Sequence, residues 1–291
     1  MKQVIDEQFL QQMELFSLSV KDNVAGLFGG NHKSKKYGSS CEFADYRDYI
    51  EGDDITKIDW NLYGKFEKMY LKLYLDERQM QTRIYIDTSN SMSYYQKDEL
   101  ALKIASTLAY LSVNEMDKVT LYALRGRQAD PILENLVGKD SFMGSIARLN
   151  NVKFEGESNI SEAIVRSRVG YGDGKSIIIS DFLTVNNYFD AIDYLRSKRR
   201  DVLCIQVLSE PELHPEHRGR MIIHDSENDD RFYKNNIGRD VIQAYQKAVE
   251  FVTNRLSDYC ISRDADFIQV STSDSLKDVF LHKMLRKEII R

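Results

Sequence analysis

The sequence predicts an α/β protein whose main domain is a Rossmann-like, doubly wound and mostly parallel sheet, preceded by a smaller N-terminal module. From Thr82 onward, short apolar segments alternate with helical patterns, which is the rhythm of βαβ units. The continuous run Ile177-Ile178-Ile179 is typical of a central parallel strand that is buried on both faces. We assign residues 1–79 to the N-terminal module and residues 80–291 to the main domain.

The composition is that of an ordinary globular protein. With 291 residues and 42% hydrophobic content, the chain can bury a sizeable core. A net charge of −5 argues against a protein built mainly to bind nucleic acid or an acidic membrane surface. The three cysteines show no C-x-x-C spacing, as expected of reduced thiols. We find no signal peptide and no apolar run long enough to span a bilayer, and therefore expect a cytoplasmic protein.

The N-terminal module begins with an amphipathic helix and a basic loop. Ile5, Phe9 and Met13 recur at helical spacing, which favours a helix over residues 4–20 that packs onto the body of the protein. The glycine-flanked loop that follows could bind an acidic or phosphorylated partner, although a solvated loop is the simpler interpretation. Its candidate partner-binding residues are His32, Lys33, Lys35 and Lys36.

Acids, tyrosines and the single tryptophan are interleaved over residues 42–65. Gly52-Asp53-Asp54 marks a turn, and Arg47 and Lys57 are expected to neutralise part of the acidic cluster in structural ion pairs. A second metal site at Asp53 and Asp54 is the alternative. A strand is predicted over residues 69–74, where tyrosines and a lysine alternate with leucines. The sequence alone leaves open whether this motif is structural or a second interaction site.

The main domain follows a regular order of predicted elements. Strands are expected at 82–86, 119–124, 132–137, 176–180, 202–208 and 266–270, and helices at 98–115, 141–149, 160–167, 188–198, 240–261 and 275–290. Residues 211–236 interrupt this rhythm, and an inserted hairpin explains them most simply. His214, His217 and His224 of this insertion lie near Asp225 and could bind zinc. A polar hairpin is favoured because Pro215 constrains the segment and no cysteine lies nearby.

Hydroxyl and carboxyl side chains lie directly after two predicted strands and within one loop that contains a glycine. Because the carboxyl ends of parallel strands share one edge of a sheet, we expect these side chains to converge there. Oxygen ligands of low total charge suit Mg²⁺ or Mn²⁺ better than zinc. Taken alone, the first three positions would also fit an N-cap turn. The candidate metal ligands are Asp87, Ser89, Ser91, Ser158 and Asp181.

Two stretches of the sequence resemble known families. Asp87-Thr88-Ser89-Asn90-Ser91, the Gly156-x-Ser158 loop and Asp181 resemble the metal-ion-dependent adhesion site of von Willebrand factor A domains. The upstream motifs resemble the bacterial family catalogued as domain of unknown function 58, in which such a module precedes an A-type domain. These motifs are Glu42-Phe43-Ala44-Asp45-Tyr46-Arg47, Gly52-Asp53-Asp54, Ile58-Asp59-Trp60 and Tyr70-x-Lys72, so that the resemblance extends over roughly residues 30 to 207.

The resemblance implies a protein-interaction module that performs no catalysis itself. A bound Mg²⁺ would be completed by an Asp or Glu from a protein partner. Ser89 and Ser91 would be direct ligands, Asp87 and Asp181 would act directly or through water, and Ser158 stands where the family more often has threonine. Members of this family often accompany MoxR-type AAA+ ATPases, which implies a role in the assembly or maturation of protein complexes.

A metal-dependent phosphoryl-transfer enzyme is the alternative function. Asp87 would then serve as the nucleophile beside the metal ion. The second acid that such chemistry usually places two residues later is Ser89 in this sequence, which disfavours catalysis.

Overall fold

The computed structural model describes residues 3–23, 37–75, 80–184, 186–215, 219–224 and 232–284. The strands are β1 (Tyr37–Asp48), β2 (Tyr70–Leu75), β3 (Gln81–Asp87), β4 (Lys118–Arg125), β5 (Gln128–Leu136), β6 (Gly174–Ser180), β7 (Arg200–Leu208), β8 (Gly219–His224), β9 (Phe232–Ile237) and β10 (Asp266–Ser271). The α-helices are α1 (Glu7–Asn23), α2 (Trp60–Phe66), α3 (Lys97–Asn114), α4 (Lys139–Met143), α5 (Ile146–Asn150), α6 (Ile160–Arg166), α7 (Phe189–Ser197), α8 (Glu210–Leu213) and α9 (Arg239–Ser262).

Six strands form the central sheet in the order β10-β7-β6-β3-β4-β5. Every neighbouring pair is parallel except β4 and β5, which are antiparallel. Parallel strands require crossover connections, and helices α3, α6, α7 and α9 lie between them in the chain. The predicted Rossmann-like, doubly wound and mostly parallel sheet is confirmed.

The two faces of the sheet bury two separate apolar cores. Side chains alternate along β3, so that Ile84 and Ile86 join the core that contains helix α3, whereas Tyr85 joins the core that contains α6 and α7. The strand β6 alternates in the same way, with Ile177 and Ile179 on the α3 side. A sheet covered on both faces explains why these strands are nearly continuous in hydrophobicity.

Helix α1 packs onto the core that contains helix α3. Ile5, Phe9 and Met13 are buried in the same core as helix α3. Ile5 also exchanges two backbone hydrogen bonds, of 2.8 and 3.0 Å, with the side-chain amide of Asn150. The predicted packing of this helix onto the body of the protein is thus observed. A single apolar stripe needs a large apolar surface, and a two-stranded sheet does not provide one.

The acidic and aromatic motif folds into an antiparallel pair, β1 and β2, with helix α2 between them. Arg47 forms the expected ion pair, with two hydrogen bonds of 2.7 and 2.8 Å to Asp53. Asp59 is buried, caps the N-terminus of α2 and lies 3.2 Å from the Lys72 ammonium. These acids therefore have structural roles within the module, while Trp60 remains 61% exposed.

Three other regions differ from the sequence prediction in detail. The expected helix at 141–149 is two short helices, α4 and α5, because the chain turns at Gly144 and Ser145. The closing segment forms a π-helical stretch, Asp278–Met284, and residues 285–291 lie outside the described part. The 211–236 region contains helix α8 and the antiparallel strands β8 and β9. Of the helices in the described ranges, none is both long and apolar enough to cross a bilayer.

Candidate metal centre

The predicted ligands lie at the point where the chain reverses its direction of travel across the sheet. After β3 the chain adds β4 and β5 on one side, and it then returns to add β6, β7 and β10 on the other. The crevice beyond the carboxyl ends of β3 and β6 is therefore the topological switch point, where doubly wound sheets bind ligands. Asp87 ends β3, and Asp181 directly follows β6.

Asp87 is the hub of this crevice, and it is only 3% exposed. One carboxylate oxygen, Oδ1, accepts hydrogen bonds from the Ser158 hydroxyl at 2.6 Å and from the Ser89 backbone N–H at 3.0 Å. The other, Oδ2, accepts a bond from the Ser180 hydroxyl at 2.7 Å. Burial, together with the nearby charge of Asp181, raises the pKa of the Asp87 carboxyl despite these three bonds. Asp87 thus fixes the orientation of two surrounding hydroxyls.

The Ser89 and Ser91 hydroxyl oxygens lie 3.1 Å apart. Adjacent vertices of an octahedron around Mg²⁺ are separated by about 3 Å when each ligand lies about 2.1 Å from the ion. Ser89 is buried, whereas Ser91 is partly exposed, so that the pair is reached from solvent on the Ser91 side. The spacing of the two hydroxyls fits two neighbouring metal ligands.

The Ser158 loop is held against the end of β3 by backbone hydrogen bonds. The Asn90 N–H donates to the Gly156 carbonyl at 2.8 Å, and the Glu155 N–H donates to the Thr88 carbonyl at 2.9 Å. Gly156 has a φ of +78°, a conformation that suits glycine and lets the loop turn here. The loop therefore brings Ser158 to Asp87 across 71 residues of sequence.

Asp181 is buried and engages partners with both of its carboxylate oxygens. Oδ1 accepts the Leu183 backbone N–H at 3.0 Å, and Oδ2 lies 2.9 Å from the Lys97 ammonium. The neighbouring Phe182 is buried with a φ of +55°, an uncommon conformation for a large side chain. Backbone strain of this kind collects at functional sites, and it lies here directly beside a predicted ligand.

The Lys97 ammonium lies beside Asp181 at the wall of the crevice, and the lysine is 1% exposed. Besides Asp181, it contacts the Glu212 carboxylate at 2.6 Å. Burial alone would lower the pKa of Lys97, but the two carboxylates outweigh it and raise that pKa overall. Lys97 is therefore a permanent cation that joins the ends of β6 and β7.

The donor set fits a hard divalent cation. It offers three hydroxyls and two carboxylates, which are oxygen ligands of the type that Mg²⁺ and Mn²⁺ prefer. Across the described ranges, no group of three or more His, Cys, Asp or Glu side chains is arranged to hold a metal ion. The centre would consequently depend on hydroxyls as much as on acids.

All five predicted ligands come to the same sheet edge, but sequence reasoning missed three of their neighbours. Ser180 is a polar residue at the end of a buried strand, directly after three isoleucines, which could have marked it as a group with a specific partner. Lys97 opens helix α3, where a positive charge opposes the helix dipole, and that conflict was a usable signal. Glu212 carried no signal of its own beyond the capping box that it forms with Ser209.

Other predicted site residues cannot be placed at this centre. The basic loop with His32, Lys33, Lys35 and Lys36 lies outside the described residues, as do His217 and Asp225 of the insertion. Zinc binding by the insertion therefore stays a prediction.

Comparisons with known proteins identify relatives and loosely similar folds. The model of the family described as "Protein of unknown function DUF58" matches residues 45–253. Uncharacterized proteins of Mycobacterium tuberculosis and Mycobacterium bovis are each 22% identical over 230 residues, which is 77% of this chain and 72% of theirs.

Solved structures give only distant likenesses. An aerotolerance-related membrane protein from Bacteroides fragilis is 17% identical, with a TM-score of 0.38 over 71% of this chain and 99% of that one. The SpRpn10 VWA domain is 8% identical, also with a TM-score of 0.38, over 70% of this chain and 94% of that one. The fold assignment accordingly rests on the sheet order described above.

Proposed function

We propose, from the premise that this chain belongs to the DUF58 family, that it is a non-catalytic protein-interaction module whose partner binding depends on Mg²⁺ or Mn²⁺. One observation carries the proposal: Asp87, Asp181 and three serine hydroxyls lie at one topological switch point, with the Ser89 and Ser91 oxygens 3.1 Å apart. A metal held there would supply a Lewis-acidic position for an oxygen ligand from outside the chain.

Different residues of this chain would bind the metal ion and orient its ligands. Ser89, Ser91 and Ser158 would offer neutral oxygens, which leave the charge of the ion largely unquenched. An Asp or Glu of the partner would then gain a strong charge-assisted bond. Asp87 would keep the Ser158 hydroxyl in position through the 2.6 Å hydrogen bond that it accepts.

Two exposed aromatic side chains lie close in sequence to the serine pair. Tyr94 and Tyr95 follow Ser91 by three and four residues and are 47% and 58% exposed. Tyrosines at such positions commonly form the energetic centre of a protein interface. The metal would therefore fix one carboxylate of the partner, and the tyrosines would contact the surface around it.

The proposed partner is a MoxR-type AAA+ ATPase, and the proposed location is the cytoplasm. Support for both comes from the resemblance of the motifs and from the family membership. The role that follows is recruitment of the ATPase, or of its client, during assembly of a protein complex.

The phosphoryl-transfer alternative is less well supported by the geometry. Both oxygens of Asp87 accept short hydrogen bonds from serine hydroxyls, and the carboxylate is buried. A nucleophile needs a free lone pair directed at its substrate. No observation at this centre favours the enzyme.

Capture of the purified ATPase by the immobilised full-length chain tests the proposal. We expect capture in Mg²⁺, loss of capture in EDTA, and loss in Ser89→Ala even with Mg²⁺ present. Ser93→Ala is the matched control, because Ser93 is an exposed hydroxyl of the same segment that bonds only to Asn90. Equal capture with and without EDTA would refute the metal-dependent function.

A second measurement separates metal binding from partner contact. Replacing Tyr94 and Tyr95 with alanine should reduce capture while leaving the affinity for Mn²⁺ unchanged. Phosphatase or nucleotidase turnover that disappears in Asp87→Asn would favour the enzyme instead.

A further inference from the structure

A buried lysine contacts Asp181, one of the two carboxylates at the proposed metal position. The Lys97 ammonium lies 2.9 Å from Asp181 Oδ2, and its side chain is 1% exposed. It occupies the first turn of α3, where a cation opposes the helix dipole and gains nothing from the helix itself. Its position therefore needs an explanation other than helix stability.

The lysine is held firmly where it is. Glu212 contacts the ammonium with Oε1 at 2.6 Å. The other oxygen of Glu212 accepts the Ser209 backbone N–H at 2.7 Å and the Ser209 hydroxyl at 2.8 Å. Because Glu212 is anchored by this capping box, the ammonium has no other anion to move toward among the contacts described here.

We propose that Lys97 sets the metal affinity of this centre: its fixed ammonium is a built-in counter-cation of Asp181, which keeps a divalent ion weakly bound and exchangeable, and Glu212 moderates this opposition. The inference rests on the proposed function, because it concerns the same metal position. It adds a role for Lys97 and Glu212, which are not metal ligands.

The physical argument is a competition for one carboxylate. Asp181 already accepts the Leu183 N–H on Oδ1 and the ammonium on Oδ2, so that part of its charge is neutralised before any metal arrives. A divalent ion must share Asp181 with a cation in a site that water does not screen well, and like charges repel strongly there. Removing the positive charge should tighten metal binding, whereas removing the negative charge of Glu212 should loosen it.

Titration of the full-length chain with Mn²⁺ alone, followed by calorimetry or by the Mn²⁺ electron paramagnetic resonance signal, tests the inference. Lys97→Met keeps most of the side-chain volume and should bind Mn²⁺ tighter by about tenfold or more. Glu212→Gln should bind it several-fold more weakly, and its fold should persist because glutamine also serves in a capping box. Lys97→Arg keeps the charge and should stay within a few-fold of the wild type.

The opposite signs of the two charge changes exclude a merely structural role. A structural role would weaken Mn²⁺ binding in both Lys97→Met and Glu212→Gln, and that result would overturn the inference. Circular dichroism checks that each variant is folded. If Lys97→Met does not fold, unchanged or tighter Mn²⁺ binding by Glu212→Gln still overturns the inference.

The same titrations distinguish failure of the inference from failure of the proposed function. Wild-type binding that is lost in Ser89→Ala but unchanged in Lys97→Met would leave the metal centre standing and remove the role of Lys97. Binding by Lys97→Met but not by the wild type would support the role of Lys97 and refute metal dependence of the native chain. No binding by any variant would overturn both.

Discussion

Asp117 offers a quantitative test of the structure that is independent of the metal centre. It lies in the turn between α3 and β4, where its Oδ1 accepts the Met80 backbone N–H at 3.1 Å. Burial raises the pKa of this carboxyl from 3.8 to about 6, and the neighbouring Glu115 adds to the rise. The carboxylate also follows the C-terminus of a helix, where a negative charge is unfavourable. Its ionised form is therefore destabilising in the folded protein.

The sign of the effect follows from proton binding. Between about pH 4 and pH 6, the folded state holds the Asp117 proton more tightly than the unfolded state does. The free energy of unfolding should therefore fall as the pH rises through this window, and the whole cost is present above about pH 6. The difference between the two pKa values corresponds to at most about 3 kcal/mol, and about 1 to 3 kcal/mol is expected after partial relaxation.

Asp117→Asn removes the charge and keeps an oxygen that can accept the Met80 N–H. Urea denaturation at pH 7.5 should show the variant to be more stable by about 1 to 3 kcal/mol, and the gain should shrink toward zero near pH 4. Asp130→Asn, at an exposed position of β5, is the control and should change stability by less than about 0.5 kcal/mol. A gain of equal size at both pH values, or none at pH 7.5, would refute the reasoning.

Three further substitutions test other parts of the fold. In Gly174→Ala, the new Cβ would lie 2.4 Å from the Arg200 guanidinium, in a backbone with φ of +153°, so that urea denaturation should show a loss of at least about 2 kcal/mol. Asp59→Ala removes the N-cap of α2 and the partner of Lys72, and calorimetric melting should reveal a loss of about 1 to 2 kcal/mol. Asp87→Asn, melted in EDTA, should have a higher Tm than the wild type, because a buried carboxylate beside another acid is lost; an unchanged or lower Tm would contradict this account.

The strands of the main domain were predictable because a buried strand can be identified from the hydrophobicity of a few neighbouring residues. The isoleucine run 177–179 and the apolar stretch 84–86 both became central strands of the sheet. Periodicity carries this information within a few residues, so that no long-range knowledge is needed. The helix α3 was found for the same reason, with its start at Lys97.

The surface that covers helix α1 was not predictable from the same signals. An amphipathic pattern says that helix α1 buries one face, but it does not say which surface covers that face. The strand β1 comes next in the sequence, but Ile5, Phe9 and Met13 are buried in the core that contains helix α3. Similarly, spacing could not show that Lys97 and Glu212, 115 residues apart, would meet.

The convergence of the candidate ligands was predictable from the sequence, but the electrostatics around them were not. Its ligands follow strand ends, and the rule for doubly wound sheets then brings them together. The cation beside Asp181 is Lys97, which belongs to helix α3 and to none of the sequence motifs. Only the three-dimensional packing therefore revealed its position. The acids were visible in the sequence, whereas their counter-charge was not.

This counter-charge explains how the fold tolerates two buried acids at one sheet edge. Asp87 and Asp181 raise the free energy of the folded state by their mutual repulsion and their burial, and an uncompensated pair would destabilise the chain. Hydroxyls from Ser158 and Ser180 stabilise the first acid, and Lys97 stabilises the second. The two acids thus have different surroundings: the Asp87 carboxylate accepts hydrogen bonds from neutral hydroxyls, whereas the Asp181 carboxylate faces a fixed cation. Hydroxyls and one lysine of this chain therefore offset the burial of both acids.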